Sequence, residues 1–155
     1  MILCSRASDT ALFAALPLMH GFPAGPIWYY AKTIECGAIC STATGADGVS
    51  AEIDDKIFKV EPSTLDAACT THSLASHTLY EIADPYLIHE PSGTLDIQKA
   101  RYHPISERVT RVEGSEFCPG IYTLKLEGAA FSGFQTVAIG GVRDPYILAR
   151  VDLWL

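Results

Sequence analysis

The sequence predicts a mixed α/β fold of the α+β kind. Helices and a short strand fill the first half, and the second half is rich in antiparallel strands. Apolar residues recur at helical spacing from Ile27 to Ala38 and again from Leu65 to Ile82. Beyond Pro91 the spacing changes to alternation, as where Leu124 and Leu126 share one face and Thr123 and Lys125 the other. At 155 residues the chain has the length of one ordinary domain, and no shift in composition marks a linker, so residues 1–155 read as a single domain.

Taken in order, Met1-Ile2-Leu3 suits a buried strand that leads into the polar segment Ser5-Arg6-Ala7-Ser8-Asp9. Asp9 is placed to cap a helix from Thr10 to Leu16, limited by Pro17. After a Gly- and Pro-rich loop, Ile27, Tyr30, Ala31, Ile34 and Ala38 line one face of a second helix, which Gly37 terminates. Residues 41–48 are small and polar, a loop. Ile57–Val60 reads as a strand ended by Glu61-Pro62. A long helix is expected from Leu65 to Ile82, with Leu65, Ala68, Leu79 and Ile82 inward and Asp84-Pro85 as its stop. Strands are expected at 97–102, 108–112, 121–127 and 135–139, and a last helix at 143–153, primed by Asp144-Pro145.

Composition excludes several functions. The net charge of −7 and the thin spread of eleven Lys and Arg argue against nucleic acid. No apolar run approaches the roughly 18 residues of a membrane helix, and the short apolar start does not make a signal peptide. Five irregularly spaced cysteines (4, 36, 40, 69 and 118) fit reduced thiols, and the chain reads as cytoplasmic. A charged content of 19% with a mean hydropathy of +0.18 leaves more apolar surface than a self-contained domain needs. An exposed apolar face open to self-association is therefore expected.

Four candidate sites follow from the residues. Arg6 and Asp9 sit just past an apolar strand, where α/β sheets place ligand contacts; equally, Arg6 pairs with a carboxylate and Asp9 caps a helix. Glu35 and Cys36 offer a carboxylate and a thiol, although a helix C-terminus raises a thiol pKa and a buried Cys is usually inert. His72 and His77 are five apart, which points them to different faces and argues against a metal pair. Glu81 and Asp84 bracket a helix end, where two acids need a cation, a function or solvent to offset them. There is no Gly-x-Gly-x-x-Gly, phosphate loop or Gly-x-Ser-x-Gly, and no metal or cofactor is called for.

In order and spacing these blocks resemble the acyclic terpene utilisation (AtuA-like) family, a domain of unknown function. Arg6 and Asp9 fall on its Gly-Arg-x-x-Asp segment, with Ser5 in place of Gly. The stretch from Ala31 to Ala38 resembles its Gly-His-Leu-hydrophobic-Glu-Cys-Gly-Ala block, with Lys32 where members carry His. The Tyr80-Glu81-Ile82-Ala83-Asp84-Pro85 segment resembles Tyr-Glu-hydrophobic-Gly-Asp-Pro, with Ala83 for Gly. Tyr122 to Lys125 and Phe131 to Phe134 echo a later strand and turn. The resemblance implies a role in catabolism of acyclic isoprenoids or branched acyl-CoA compounds, and a small acyl or acyl-CoA ligand. It implies Arg6, Asp9, Glu35 and Cys36 as catalytic residues and Glu81 and Asp84 as substrate-binding ones. Members are longer, so the chain corresponds to the C-terminal portion of the family domain. The expectation is a truncated enzyme with little turnover; the alternative is a non-catalytic interaction module or remnant.

Overall fold

The computed structural model of the chain describes residues 9–45, 48–80, 82–124 and 129–153. The chain divides into two units, Met1–Lys125 and Leu126–Leu155. The first begins with helices α1 (Asp9–Met19) and α2 (Ala24–Ile34), a 3-10 turn at Gly37–Cys40, and strands β1 (Val49–Ile53) and β2 (Ile57–Pro62). Helix α3 (Thr71–His77) follows, then β3 (Leu87–Glu90), β4 (Gly93–Asp96), β5 (Arg101–Pro104), β6 (Thr110–Glu113) and β7 (Glu116–Pro119). The strands pair antiparallel in two sheets, ordered β1-β2-β6-β5 and β3-β4-β7. The α+β class read from the sequence is the observed one.

Helix α2 is the centre of this unit. It buries residues around most of its circumference, including Ile27, Trp28, Tyr29, Ala31 and Thr33, as a helix flanked by several elements must. Tyr29 meets Phe58 of β2 edge-on at 5.5 Å, and Trp28 stacks on Phe117 of β7 at 5.7 Å, so one helix serves both sheets. Alternation puts Phe58 and Val60 on the inner face of β2, opposite Val112 and Thr110 of β6. Lys59 and Arg111, also opposite each other, lie on the outer face. In the second sheet Ile88, Leu95 and Phe117 form the corresponding inner row. Two glycines permit this packing. A Cβ on Gly25 would lie 2.5 Å from the Ser115 carbonyl oxygen, and one on Gly37 would lie 2.1 Å from Val49 Cγ2.

Several expected boundaries are corrected. Helix α1 runs through Pro17 to Met19, because the amide that Pro17 lacks costs one bond while His20 N still reaches the Leu16 and Pro17 carbonyls. Helix α2 starts at Ala24, with Gly25 and Pro26 in its first turn, where no amide need be satisfied. It ends at Ile34, and Gly37 opens the 3-10 turn rather than stopping a helix. The long helix expected from Leu65 shrinks to Thr71–His77. Leu65 and Leu79 are exposed, and the residues buried here are Ala67, Cys69, Leu74, His77 and Thr78. Strands β1, β3, β4 and β7 are additional to those expected, and the strand expected at 97–102 is β5, Arg101–Pro104. The strand expected at 121–127 is absent over its described residues, where 121–124 is an irregular segment tied by Thr123 N to the Pro91 carbonyl at 2.7 Å. The expected initial strand, Met1 to Leu3, lies outside the described residues.

In the second unit the expected strand at 135–139 is irregular chain. Helix α4 spans Pro145–Leu148, and a 3-10 turn follows at Val151–Leu153. Asp144 caps α4 as its sequence suggests, accepting from Tyr146 N at 2.8 Å and Ile147 N at 3.1 Å, with Pro145 at the first helical position. Arg150 sits 3.8 Å over the Tyr146 ring, and Phe131 meets Phe134 edge-on.

Candidate functional site

The last turn of α2 carries Lys32 and Glu35, three residues apart and hence on one face. Glu35 is the C-cap residue, where the helix dipole disfavours a carboxylate, so a partner must offset it. Lys32 Nζ donates to Glu35 Oε1, and the hydroxyl of Thr10, buried on α1, donates to Oε2. The two charged side chains are only 15% and 9% exposed. Both carboxylate oxygens are thus engaged in a largely dry setting, and the Lys32 ammonium carries further donors.

Helix α3 brings His77 to the same place. Thr70 and Ser73 form a reciprocal cap, Ser73 N donating to Thr70 Oγ1 at 3.0 Å and Thr70 N to Ser73 Oγ at 2.9 Å. This fixes the start of a two-turn helix whose last residue is His77. The imidazole is 5% exposed, and among the described residues neither nitrogen has a hydrogen-bond partner. Burial pushes its pKa down, and the nearby Lys32 charge acts in the same sense. The backbone of Thr33 and Lys32 and the Glu35 carboxylate act against the shift, without the backbone groups reaching hydrogen-bond geometry. Tyr80 stacks on the ring at 6.3 Å. His72 is exposed, as the spacing of five implies.

Behind this junction lies a second buried polar group. The hydroxyls of Tyr29 and Tyr102 are bonded to each other. Burial, then Tyr102, raises the Tyr29 pKa well above the ordinary phenol value, and the neighbouring Thr78 hydroxyl opposes this. Cys40 donates to the Thr33 carbonyl at 3.4 Å, and burial pushes its thiol pKa up, which makes it a poor nucleophile.

Of the expected site residues, Glu35 lies in the junction, and Cys36 follows it, half-buried, at the start of the 3-10 turn. Asp9 is exposed at the first position of α1; its neighbour Thr10 is the residue that reaches Glu35. Asp84 is exposed and accepts from Tyr86 N at 2.8 Å and Leu87 N at 3.0 Å, two bonds that hold its carboxyl below the usual range. Arg6 and Glu81 lie outside the described residues. Lys32 and His77 join the site without having been expected there. The three-residue spacing of Lys32 to Glu35 is the signal that could have found the first. His77 is placed by long-range packing that no local pattern encodes.

Elsewhere, a groove of about 640 Å³ is lined by Lys56, Lys99 and Arg101 against Asp55, Glu113 and Glu116. Its charges balance, and Lys99 is already paired with Glu116 at 2.8 Å. Among the described residues no group of three or more His, Cys, Asp and Glu is placed to hold a metal ion. No described helix is long and apolar enough to cross a membrane.

No curated protein and no solved structure matches the chain. The profile of the acyclic terpene utilisation family protein AtuA matches residues 54–155, two thirds of its length. That span includes α3, His77 and Asp84, and starts beyond Lys32 and Glu35. The chain belongs to the acyclic terpene utilisation family, AtuA.

Proposed function

We propose that the protein acts in the catabolism of acyclic isoprenoids or similarly branched acyl compounds, taking an acyl or acyl-CoA ligand where α1, α2 and α3 meet. The observation that carries this reading is the shielded Lys32–Glu35 pair braced by Thr10. A stabilising role alone accounts poorly for such a pair, since removing two charges from water costs about as much as their attraction returns. A fixed ammonium in a dry setting suits a thioester carbonyl, because it can donate to the oxygen as negative charge develops there. Glu35 holds that ammonium, and Thr10 holds Glu35. Cys36, next in the chain, borders the same site.

One observation favours an interaction module instead. Leu12, Leu16 and Met19 form an exposed apolar stripe on α1, 66%, 63% and 83% exposed. Ligand binding separates the two readings. Titration with branched acyl-CoA thioesters, straight-chain acyl-CoA and free CoA is expected to give saturable binding that favours the branched thioesters. Lys32→Gln, checked for folding by circular dichroism, should weaken that binding at least about tenfold, the loss of one charge-assisted hydrogen bond. No binding of any thioester, or equal affinity for free CoA, would overturn the acyl-ligand reading.

A further inference from the structure

We propose that His77 is an acid-sensing latch on this site: when it takes a proton it draws Glu35 away from Lys32 and loosens the end of α3. The inference rests on the reading above only for what the latch regulates; it starts from a buried, unpartnered imidazole at the end of a short helix. The imidazole is closed off from solvent, with both ring nitrogens unpartnered among the described residues, at the C-terminal end of a helix of only seven residues. Such a side chain is accommodated when neutral and poorly accommodated when charged.

The groups around it make its protonation consequential. Helix α2 presents the Lys32 ammonium, which repels an imidazolium, and the Glu35 carboxylate, which attracts it. It also presents the backbone of Thr33 and Lys32, within reach of a small movement. Helix α3 also packs against the 3-10 turn, which carries the buried Cys40, and against β5, which carries Tyr102, whose phenol is bonded to Tyr29. Tyr80 stacks on the ring from its own side. Among these charged groups Glu35 alone can compensate an imidazolium, and Lys32 already holds it. Charging His77 therefore sets two cations in competition for one carboxylate, and α3 is the short element that gives.

The sign follows from the lowered pKa. The unfolded chain takes up this proton near the ordinary value of 6.5, and the folded chain does so only at lower pH. The stability contributed by the neutral ring is complete above about that value and is lost as pH falls toward the lowered one.

Amide hydrogen exchange on the unliganded chain tests the latch without reference to any substrate. Between about pH 7.5 and about pH 5.5, amides of α3 are expected to gain at least about tenfold in exchange after correction for the intrinsic rate, and those of β2 less than about threefold. His77→Leu should abolish the gain, whereas His72→Gln, at the exposed histidine of the same helix, should leave it intact. A gain that persists in His77→Leu, or that is missing from the native chain, overturns the proposal. Should His77→Leu fail to fold, the ring resonances of the native protein decide. Titration of His77 below 6.5 in step with the α3 exchange supports the latch, and titration at or above 6.5 overturns it. Loss of acyl binding with an intact pH response would refute the proposed function and leave the latch standing.

Discussion

The molecule contains the same ion pair in two solvents. On the outer face of the four-stranded sheet, Lys59 and Glu52 meet across β1 and β2 at 2.6 Å, their side chains 42% and 74% exposed. At the end of α2, Lys32 and Glu35 meet with 15% and 9% exposure, and a third residue from another helix braces the carboxylate. Water screens the first pair and leaves its side chains mobile, so little depends on it. The second has lost its water and depends on each partner. That is why the end of α2 is the proposed site: charge that has been desolvated and oriented is the form in which charge does chemistry.

The largest effect is expected from removing the cation of the shielded pair. Lys32→Met leaves Glu35 at the negative end of α2 with only the Thr10 hydroxyl, a loss of about 3 kcal/mol, as for other buried pairs broken on one side. Urea unfolding monitored by circular dichroism should show it as a large fall in midpoint at unchanged slope. The double change Lys32→Met, Glu35→Leu should recover most of the loss, because no orphaned charge remains. A double variant as unstable as the single one would mean that the Lys32 stem, and not its charge, holds the junction together.

A smaller effect tests how rigidly the site is held. Gly37 lies two residues past Glu35, and the Cβ it lacks would fall 2.1 Å from Val49 Cγ2. Gly37→Ala should therefore cost about 1–3 kcal/mol by overpacking, and Val49→Ala in the same chain should relieve most of it. If Gly37→Ala is neutral, the 3-10 turn can move away from β1, and Glu35 is less firmly placed than its bonds suggest.

How much of this was readable in the sequence follows from where the contacts reach. The alternation around Phe58 and Val60 and the helical spacing through Ile27 and Ala31 are local patterns, and they place β2 and α2 correctly. The Leu65–Ile82 pattern fails because Leu65 and Leu79, two of the residues it turns inward, are exposed, whereas Leu74 between them is buried. Ahead of α3 the inward residues are the small Ala67 and Cys69, held in extended chain by distant groups: Arg108 Nε donates to the Ala67 carbonyl at 2.9 Å and Thr110 Oγ1 to the Cys69 carbonyl at 2.8 Å. In β1, alternation is present in Val49, Ala51 and Ile53, but Ser50 and Ala51 make it faint. At the site, Glu35 stood out beside Cys36. Thr10 did not, since a threonine on another helix acquires meaning only when α1 packs on α2. His77 reads from the sequence as one of a pair whose spacing argues against a shared metal, and the fold gives it a different environment.

The smallest expected effect is on the outer face. Lys59→Met should leave the urea midpoint unchanged within error, because the pair it breaks is exposed and its partner regains water. The local pH response should nevertheless change. The Lys59 hydrogen bond and charge hold the Glu52 carboxyl below its usual range, so this pairing is present above the ordinary carboxylate value and fades as pH falls. In Lys59→Met the Glu52 carboxyl carbon, followed by NMR, should titrate at higher pH than in the native chain, and molar salt should reproduce part of that change in the native protein. A clear fall in midpoint for Lys59→Met would show that this face supports the sheet through its charges. The contrast with Lys32–Glu35 would then be one of degree, and desolvation alone would no longer single out the junction of α1, α2 and α3.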